Sequence, residues 1–247
     1  MLSVKDIALA FGQKKLFQDV SITFTPGCRY GIIGANGTGK STFLKIISGD
    51  QQADRGSIHL DPKAKLGWLR QDHFRYDKET VLNTVFMGDQ KLWKIMKERE
   101  ELYAKGEMTD EEANRLGELE GEFMEIDGYS AESKASEFLV GLGIPAELHN
   151  QLMKEIPTQY KFRVLLAQIL FQKPDVMLLD EPTNNLDIKT ISWLEDYLNE
   201  YDGTILIVSH DRHFLNAVCT HIADIDYSQM RIYTGDYDYW LQASAIA

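Results

Sequence analysis

The run Gly34-Ala35-Asn36-Gly37-Thr38-Gly39-Lys40-Ser41 satisfies the phosphate-loop pattern G-x-x-x-x-G-K-[ST] at every fixed position. Glycines at this spacing let successive main-chain N–H groups turn inward around the phosphates of a nucleoside triphosphate. Lys40 adds a point charge to that cradle, and the Ser41 hydroxyl is a Mg²⁺ ligand. The binding stretch is therefore read as Gly34, Ala35, Asn36, Gly37, Thr38, Gly39, Lys40, Ser41 and Thr42. A second stretch, Val176-Met177-Leu178-Leu179-Asp180-Glu181, sets two carboxylates at the end of an apolar strand, the edge where open α/β sheets place their ligands. In such a site Asp180 holds Mg²⁺, directly or through water, and Glu181 polarises the attacking water as general base. An acidic pair after a strand is usually only a solvated strand end. Downstream of a phosphate loop, and followed by Pro182-Thr183-Asn184-Asn185-Leu186-Asp187, it reads as the second half of a hydrolytic site.

The elements that must position these residues follow from periodicity. Arg29-Tyr30-Gly31-Ile32-Ile33 reads as a buried strand and Ser41 to Ser48 as an amphipathic helix whose N-terminus faces the phosphates. Upstream, Leu2 to Ala8 and Ser21 to Thr25 alternate as strands, with Phe11-Gly12-Gln13-Lys14-Lys15 as a turn between them. Ser57–Leu60 and Leu66–Leu69 are further short strands, ending at Gln71. From Thr80 to Leu142 the pattern becomes helical and charged, with breaks at Ala104-Lys105-Gly106 and Asp127-Gly128 and a capping box from Thr109 to Glu112. A helix over Tyr160–Phe171, a strand over Val176–Leu179, a helix over Ile188–Glu200 and a strand over Thr204–Ser209 complete a β/α alternation that predicts a parallel sheet.

Composition sets bounds. The 247 residues are 44% hydrophobic, enough for a well-buried core. No run approaches the roughly 18 apolar residues of a membrane span, and Met1-Leu2-Ser3-Val4-Lys5-Asp6 lacks the basic-then-apolar pattern of a leader. A cytoplasmic protein without a membrane partner is expected. The net charge of −12 argues against broad adhesion to nucleic acid, and no sequence-specific DNA partner is expected. Cys28 and Cys219 have no metal-ligand spacing and are assigned no role. Dinucleotide binding of the Rossmann type does not suit Lys40-Ser41 and the Asp180-Glu181 strand, which fit phosphoryl transfer.

Taken together, these motifs resemble the ATP-binding cassette superfamily over nearly the whole chain. The resemblance implies a P-loop NTPase fold of α/β class. Its mixed, largely parallel core sheet is joined by an N-terminal antiparallel β subdomain and a helical subdomain with an arm. On that pattern residues 1–247 form one nucleotide-binding domain. Residues 1–78 hold the antiparallel part and phosphate loop, 79–159 the helical subdomain with its arm at about 90–128, and 160–247 the acid-pair and histidine part. The resemblance implies that Gln71 is a Mg²⁺ ligand and γ-phosphate sensor. It makes His210, in Ser209-His210-Asp211-Arg212, a partner of that phosphate that orients the water, and it makes Phe11, 29 positions before Lys40, the ring that stacks on adenine. For each of the three a satisfied surface or core residue is the plain alternative.

The wording of Asp180–Asp187, of Ser209–Leu215 and of Arg163-Val164-Leu165-Leu166-Ala167-Gln168 is similar to the ABC-F branch, whose members act in translation. That likeness implies a second cassette on the same polypeptide, a helical linker beginning where this chain stops, and the ribosome as partner. It implies ATP hydrolysis that gates a stay on the ribosome, weak in one cassette alone. Two rivals remain at this level: the ATP-binding subunit of a transporter, and a nucleotide-gated binding module with little hydrolysis. One hallmark departs from the family. Where it has Leu-Ser-Gly-Gly-Gln, the chain has Ile156-Pro157-Thr158-Gln159-Tyr160, with no glycine and with a proline that offers no N–H. Either this loop is a poor γ-phosphate clamp, or Thr158 supplies a substitute hydroxyl at a helix N-terminus. Residues 90–140 carry seven basic and fourteen acidic side chains. Such an arm either prefers a basic protein face to RNA phosphate or is simply a solvated helical surface.

Overall fold

Two aspartates in left-handed backbone explain the shape of the first sheet. In β1 (Leu2–Phe11) the buried positions are Leu2 and Val4, then Ile7 and Leu9, a change of phase centred on Asp6 with φ 53°. In β2 (Lys14–Phe24) the phase changes at Asp19, φ 51°, between Phe17 and Val20. Each change is a β-bulge that keeps one face turned to the core. The bulge at Asp19 also explains why alternation predicts a second strand, Ser21–Thr25, that starts later than β2, since a broken period-2 pattern reads as a strand end; the first prediction, Leu2–Ala8, runs through Asp6 and falls short of β1 by Leu9–Phe11. The turn between them is only Gly12-Gln13, because Phe11 and Lys14 pair as the hairpin's last rung. Gly12 supplies the positive φ, 61°, that a two-residue hairpin asks of its first central residue.

The computed structural model describes residues 1–70 and 72–246, and these divide into two units: Met1–Leu69 with Lys173–Ala247, and Arg70–Gln172. The first unit continues with β3 (Arg29–Ile33), α1 (Lys40–Ser48), β4 (Arg55–Leu60) and β5 (Leu66–Trp68). Strand β4 completes the antiparallel sheet in the order β2-β1-β4.

The second unit is helical: α2 (Val81–Phe86), α3 (Gln90–Tyr103), α4 (Asp110–Glu125), α5 (Ala131–Gly141) and α6 (Thr158–Gln172). The capping box is present, since Thr109 Oγ1 accepts from the Glu112 N–H at 3.2 Å and Glu112 Oε2 accepts from the Thr109 N–H at 3.0 Å. Helices α3 and α4 form a hairpin stapled by Arg99. Its guanidinium lies 3.8 Å from the Phe123 ring centroid and bonds Glu120 at 2.9 Å, and Glu120 also accepts from Tyr103 and Tyr129 at 2.7 and 2.6 Å. Helix α6 starts directly after Pro157, whose carbonyl accepts from the Tyr160 N–H at 2.9 Å.

The chain then returns to the first unit with β6 (Val176–Asp180), α7 (Ile188–Asn199), β7 (Thr204–Val208), α8 (Arg212–Val218), β8 (His221–Asp226), β9 (Gln229–Thr234) and α9 (Tyr237–Ser244). The six-stranded sheet has the order β5-β6-β7-β3-β8-β9; all neighbours are parallel except β8 and β9. Strand β7 is buried at all five positions and β6 at its first four, as expected of parallel strands covered on both faces. Strands β6, β7 and β3 lie side by side, so the chain segments that leave their C-terminal ends share one edge of the sheet.

Candidate functional site

At that edge the phosphate loop leaves β3 and enters α1. Gly34, Gly37 and Gly39 all have positive φ: 156°, 81° and 100°. Space is as restrictive as conformation. A Cβ on Gly34 would stand 2.7 Å from the Ile225 carbonyl oxygen and 2.7 Å from Thr38 Oγ1, and one on Gly39 would stand 2.8 Å from the Phe17 ring. Glycine is thus required twice over. Thr38 holds the turn, its N–H and Oγ1 both donating to the Ala35 carbonyl at 3.2 and 2.8 Å. Ala35, Asn36 and Gly37 form the exposed rim. Because α1 begins at Lys40, the N–H groups of Lys40, Ser41 and Thr42 have no acceptor within the helix and are available to an anion.

Lys40 is 9% exposed, and its Nζ donates to the carbonyls of Gly34 at 2.7 Å and Ala35 at 3.2 Å. Burial lowers its pKa, while the charges of Glu181 and Asp180 act in the opposite direction. The acid pair therefore bears on the lysine of the loop, although the two stretches are about 140 residues apart in the chain and two strand spacings, roughly 10 Å, apart in the sheet.

Glu181 follows β6 with a left-handed φ of 50°, a conformation unusual for a non-glycine residue. That kink coincides with contacts to the end of β7 and the segment after it. The Glu181 N–H donates to the Val208 carbonyl at 2.8 Å. Its Oε2 accepts from the His210 main-chain N–H, and its Oε1 stands 3.3 Å from His210 Nε2. The carboxyl is largely enclosed, and burial raises its pKa against the lowering effect of the His210 hydrogen bond and charge. A raised carboxyl is a stronger base when ionised, which suits a group that must accept a proton from water. Beyond it, Asp187 caps α7 through the Thr190 N–H, with Asn185 left-handed at φ 62°.

A groove of about 460 Å³ runs beside these groups, lined among others by Gly34, Ala35, Lys40, Ser209, His210 and Trp240. Asp180 is partly exposed at the β6 tip. The donor set, a hydroxyl at Ser41 and a carboxylate at Asp180, fits a hard cation that brings its remaining oxygens with substrate phosphates and water. No group of three or more His, Cys, Asp or Glu side chains able to hold a metal is found among the described residues. Phe11 is 54% exposed at the end of the β1–β2 hairpin, so its ring is free to stack. Gln71 lies outside the described residues. The contacts at Ile225, which close on Gly34 from β8, were not legible in the sequence because no local pattern links residues 34 and 225.

A family model described as ABC transporter matches residues 17–184. The chain is 52% identical over 247 residues to "Probable ATP-binding protein YbiT" of Escherichia coli O157:H7, covering all of this chain and 47% of that protein. It is 33% identical over 243 residues to "ATP-binding cassette sub-family F member 3" of Mus musculus, covering 97% of this chain and 33% of that one. The chain thus spans half or less of the length of these relatives. In three dimensions it is similar to the dimeric, post-hydrolysis ATP-binding cassette MJ0796 bound to ADP and Pi, with a TM-score of 0.66, 21% identity, and 95% and 98% of the two chains covered. At that identity the likeness speaks for the fold.

Proposed function

We propose, on the premise that this chain belongs to the ATP-binding cassette family and sides with its sub-family F, that it binds ATP with Mg²⁺ at the phosphate loop and hydrolyses the γ-phosphate. The single observation that carries the reading is the convergence on Lys40. A buried ammonium lies on the loop's own carbonyls, with the Asp180 and Glu181 charges bearing on it. In this reading the N–H groups of Lys40, Ser41 and Thr42 and the Lys40 ammonium grip the phosphates, and Phe11 stacks on the base. Ser41 and Asp180, with Gln71, would hold Mg²⁺, which when bound offsets phosphate charge and orients the polyphosphate. Glu181 accepts the proton of the attacking water. His210, already against that carboxylate, keeps its oxygens directed and bonds the γ-phosphate.

The wider role is read from kinship with sub-family F. A second cassette on the same polypeptide closes on this one when ATP is bound, and closure gates a stay on the ribosome in the cytoplasm. No helix among the described residues is long and apolar enough to cross a membrane. Pro157 at the start of α6 favours an asymmetric pair: the loop Ile156–Tyr160 serves its partner's ATP poorly, while the site on this chain keeps its machinery. The test is co-sedimentation of the two-cassette polypeptide with ribosomes in ATP and in ADP, with and without Glu181→Gln. Retention in ATP that Glu181→Gln prolongs is expected. Equal recovery under all conditions counts against the ribosomal role, and co-purification with an integral membrane protein would favour a transporter subunit.

A further inference from the structure

Strand β2 lies along the phosphate loop. Leu16 and Phe17 approach the position of a Gly39 Cβ to 3.4 and 2.8 Å, and at the start of the same strand, two residues before Leu16, Lys14 Nζ stands 3.1 Å from the position of a Gly37 Cβ. Lys14 is exposed, and its ammonium has no hydrogen bond or ion pair among the described residues. It differs in this from Lys40, which is buried and donates to Gly34 and Ala35. A cation without a counter-ion has thus been brought to the rim of a loop built to hold an anion. A Cβ on Gly37 would crowd the ammonium, which would have to give way by a few tenths of an ångström.

The register says which part of the ligand lies within its reach. Lys14 shares the last rung of the β1–β2 hairpin with Phe11, the exposed ring at that end. Lys40 and the acid pair mark the opposite, γ-phosphate end. Between a base on Phe11 and a γ-phosphate at Lys40 lie the ribose and the α- and β-phosphates. We infer that Lys14 is a nucleotide-contacting residue whose ammonium binds the α/β portion of the polyphosphate across Gly37. The hairpin end then seats base and phosphate as one piece. This inference rests on the ATP reading above and adds a residue to it; in sequence Lys14 reads only as a turn residue.

Lys15 provides the control. It carries the same charge one residue along, on the opposite face of the strand, and its carbonyl is engaged by Ser228 Oγ at 2.7 Å. Affinities for Mg·ATP and Mg·ADP are measured by calorimetry on the whole chain for wild type, Lys14→Met, Lys14→Arg and Lys15→Met, at two salt concentrations. Lys14→Met is expected to weaken ATP and ADP alike, by about three- to ten-fold at low salt, with a smaller salt dependence. Lys14→Arg restores most of the loss, and Lys15→Met leaves both affinities unchanged. If wild type binds both nucleotides and Lys14→Met binds them equally well, the inference is overturned and the ATP reading stands. A loss confined to ATP overturns the α/β assignment. A wild-type chain that binds neither nucleotide overturns the ATP reading, and this inference with it.

Discussion

One residue grips both oxygens of the Glu181 carboxylate: His210 Nε2 stands 3.3 Å from Oε1, and the His210 main-chain N–H donates to Oε2. The side-chain half of that grip is removable without touching the backbone half. His210→Ala is expected to lower turnover about ten- to hundred-fold while ATP affinity changes little. Glu181→Gln is expected to lower it at least a hundred-fold. The check is steady-state phosphate release beside equilibrium ATP binding; parallel losses of binding and turnover would assign both residues to the ground state.

The Glu181 carboxyl is pushed up chiefly by burial. Its ionised form is the active base, so turnover falls as pH drops through a value above that of an ordinary glutamate. The stability effect has the opposite sign. A raised folded-state pKa means a penalty that is absent at low pH and appears as pH rises from the unfolded through the folded pKa. Glu181→Gln should therefore raise the melting temperature more at pH 8 than at pH 5. An equal shift at both values would contradict the direction assigned.

Gly39→Ala and Gly49→Ala separate two costs at one helix. Both positions have positive φ, 100° and 86°, but a Cβ at Gly49 meets nothing within 4 Å, whereas one at Gly39 meets the Phe17 ring at 2.8 Å. Gly49→Ala is expected to cost about 1 kcal/mol from backbone strain alone. Gly39→Ala adds a clash in the core, for a total of about 2–4 kcal/mol, and loses nucleotide affinity as well. Denaturant melts of the two variants give the comparison.

How much of this was legible in the sequence depended on range. The phosphate loop, the acid pair, the α3–α4 break and the Thr109–Glu112 box are each written within eight residues or so, and the structure shows the corresponding elements. The start of β2 was not, because Asp19 reverses the alternation between Phe17 and Val20. Strands β8 and β9 were missed for another reason. Their meaning lies in pairing with β3 and in the Ile225 carbonyl that crowds Gly34, contacts that no local periodicity encodes. Likewise Lys14 reads as a turn residue until β2 is laid against the loop.

In the helical unit, Glu120 carries the staple of the arm. The Arg99 guanidinium, followed by the hydroxyls of Tyr129 and Tyr103, holds its carboxyl well below the ordinary range, at about 2. A depressed folded-state pKa gives stability that is present above the unfolded value and lost as pH falls toward 2. Glu120→Gln should accordingly lower the melting temperature by a few degrees at pH 7 and by distinctly less at pH 3. A difference that does not shrink with acid would remove the charge from the explanation.

Lys40 and the main-chain amides beside it are proposed to form the cradle that holds Mg·ATP. Calorimetric titration of the chain with ATP, with and without Mg²⁺, for wild type and Lys40→Ala tests it most directly. Magnesium-dependent binding is expected in wild type, with a loss of about a hundred-fold in the variant. Equal uptake by both proteins, or none by wild type, would contradict it.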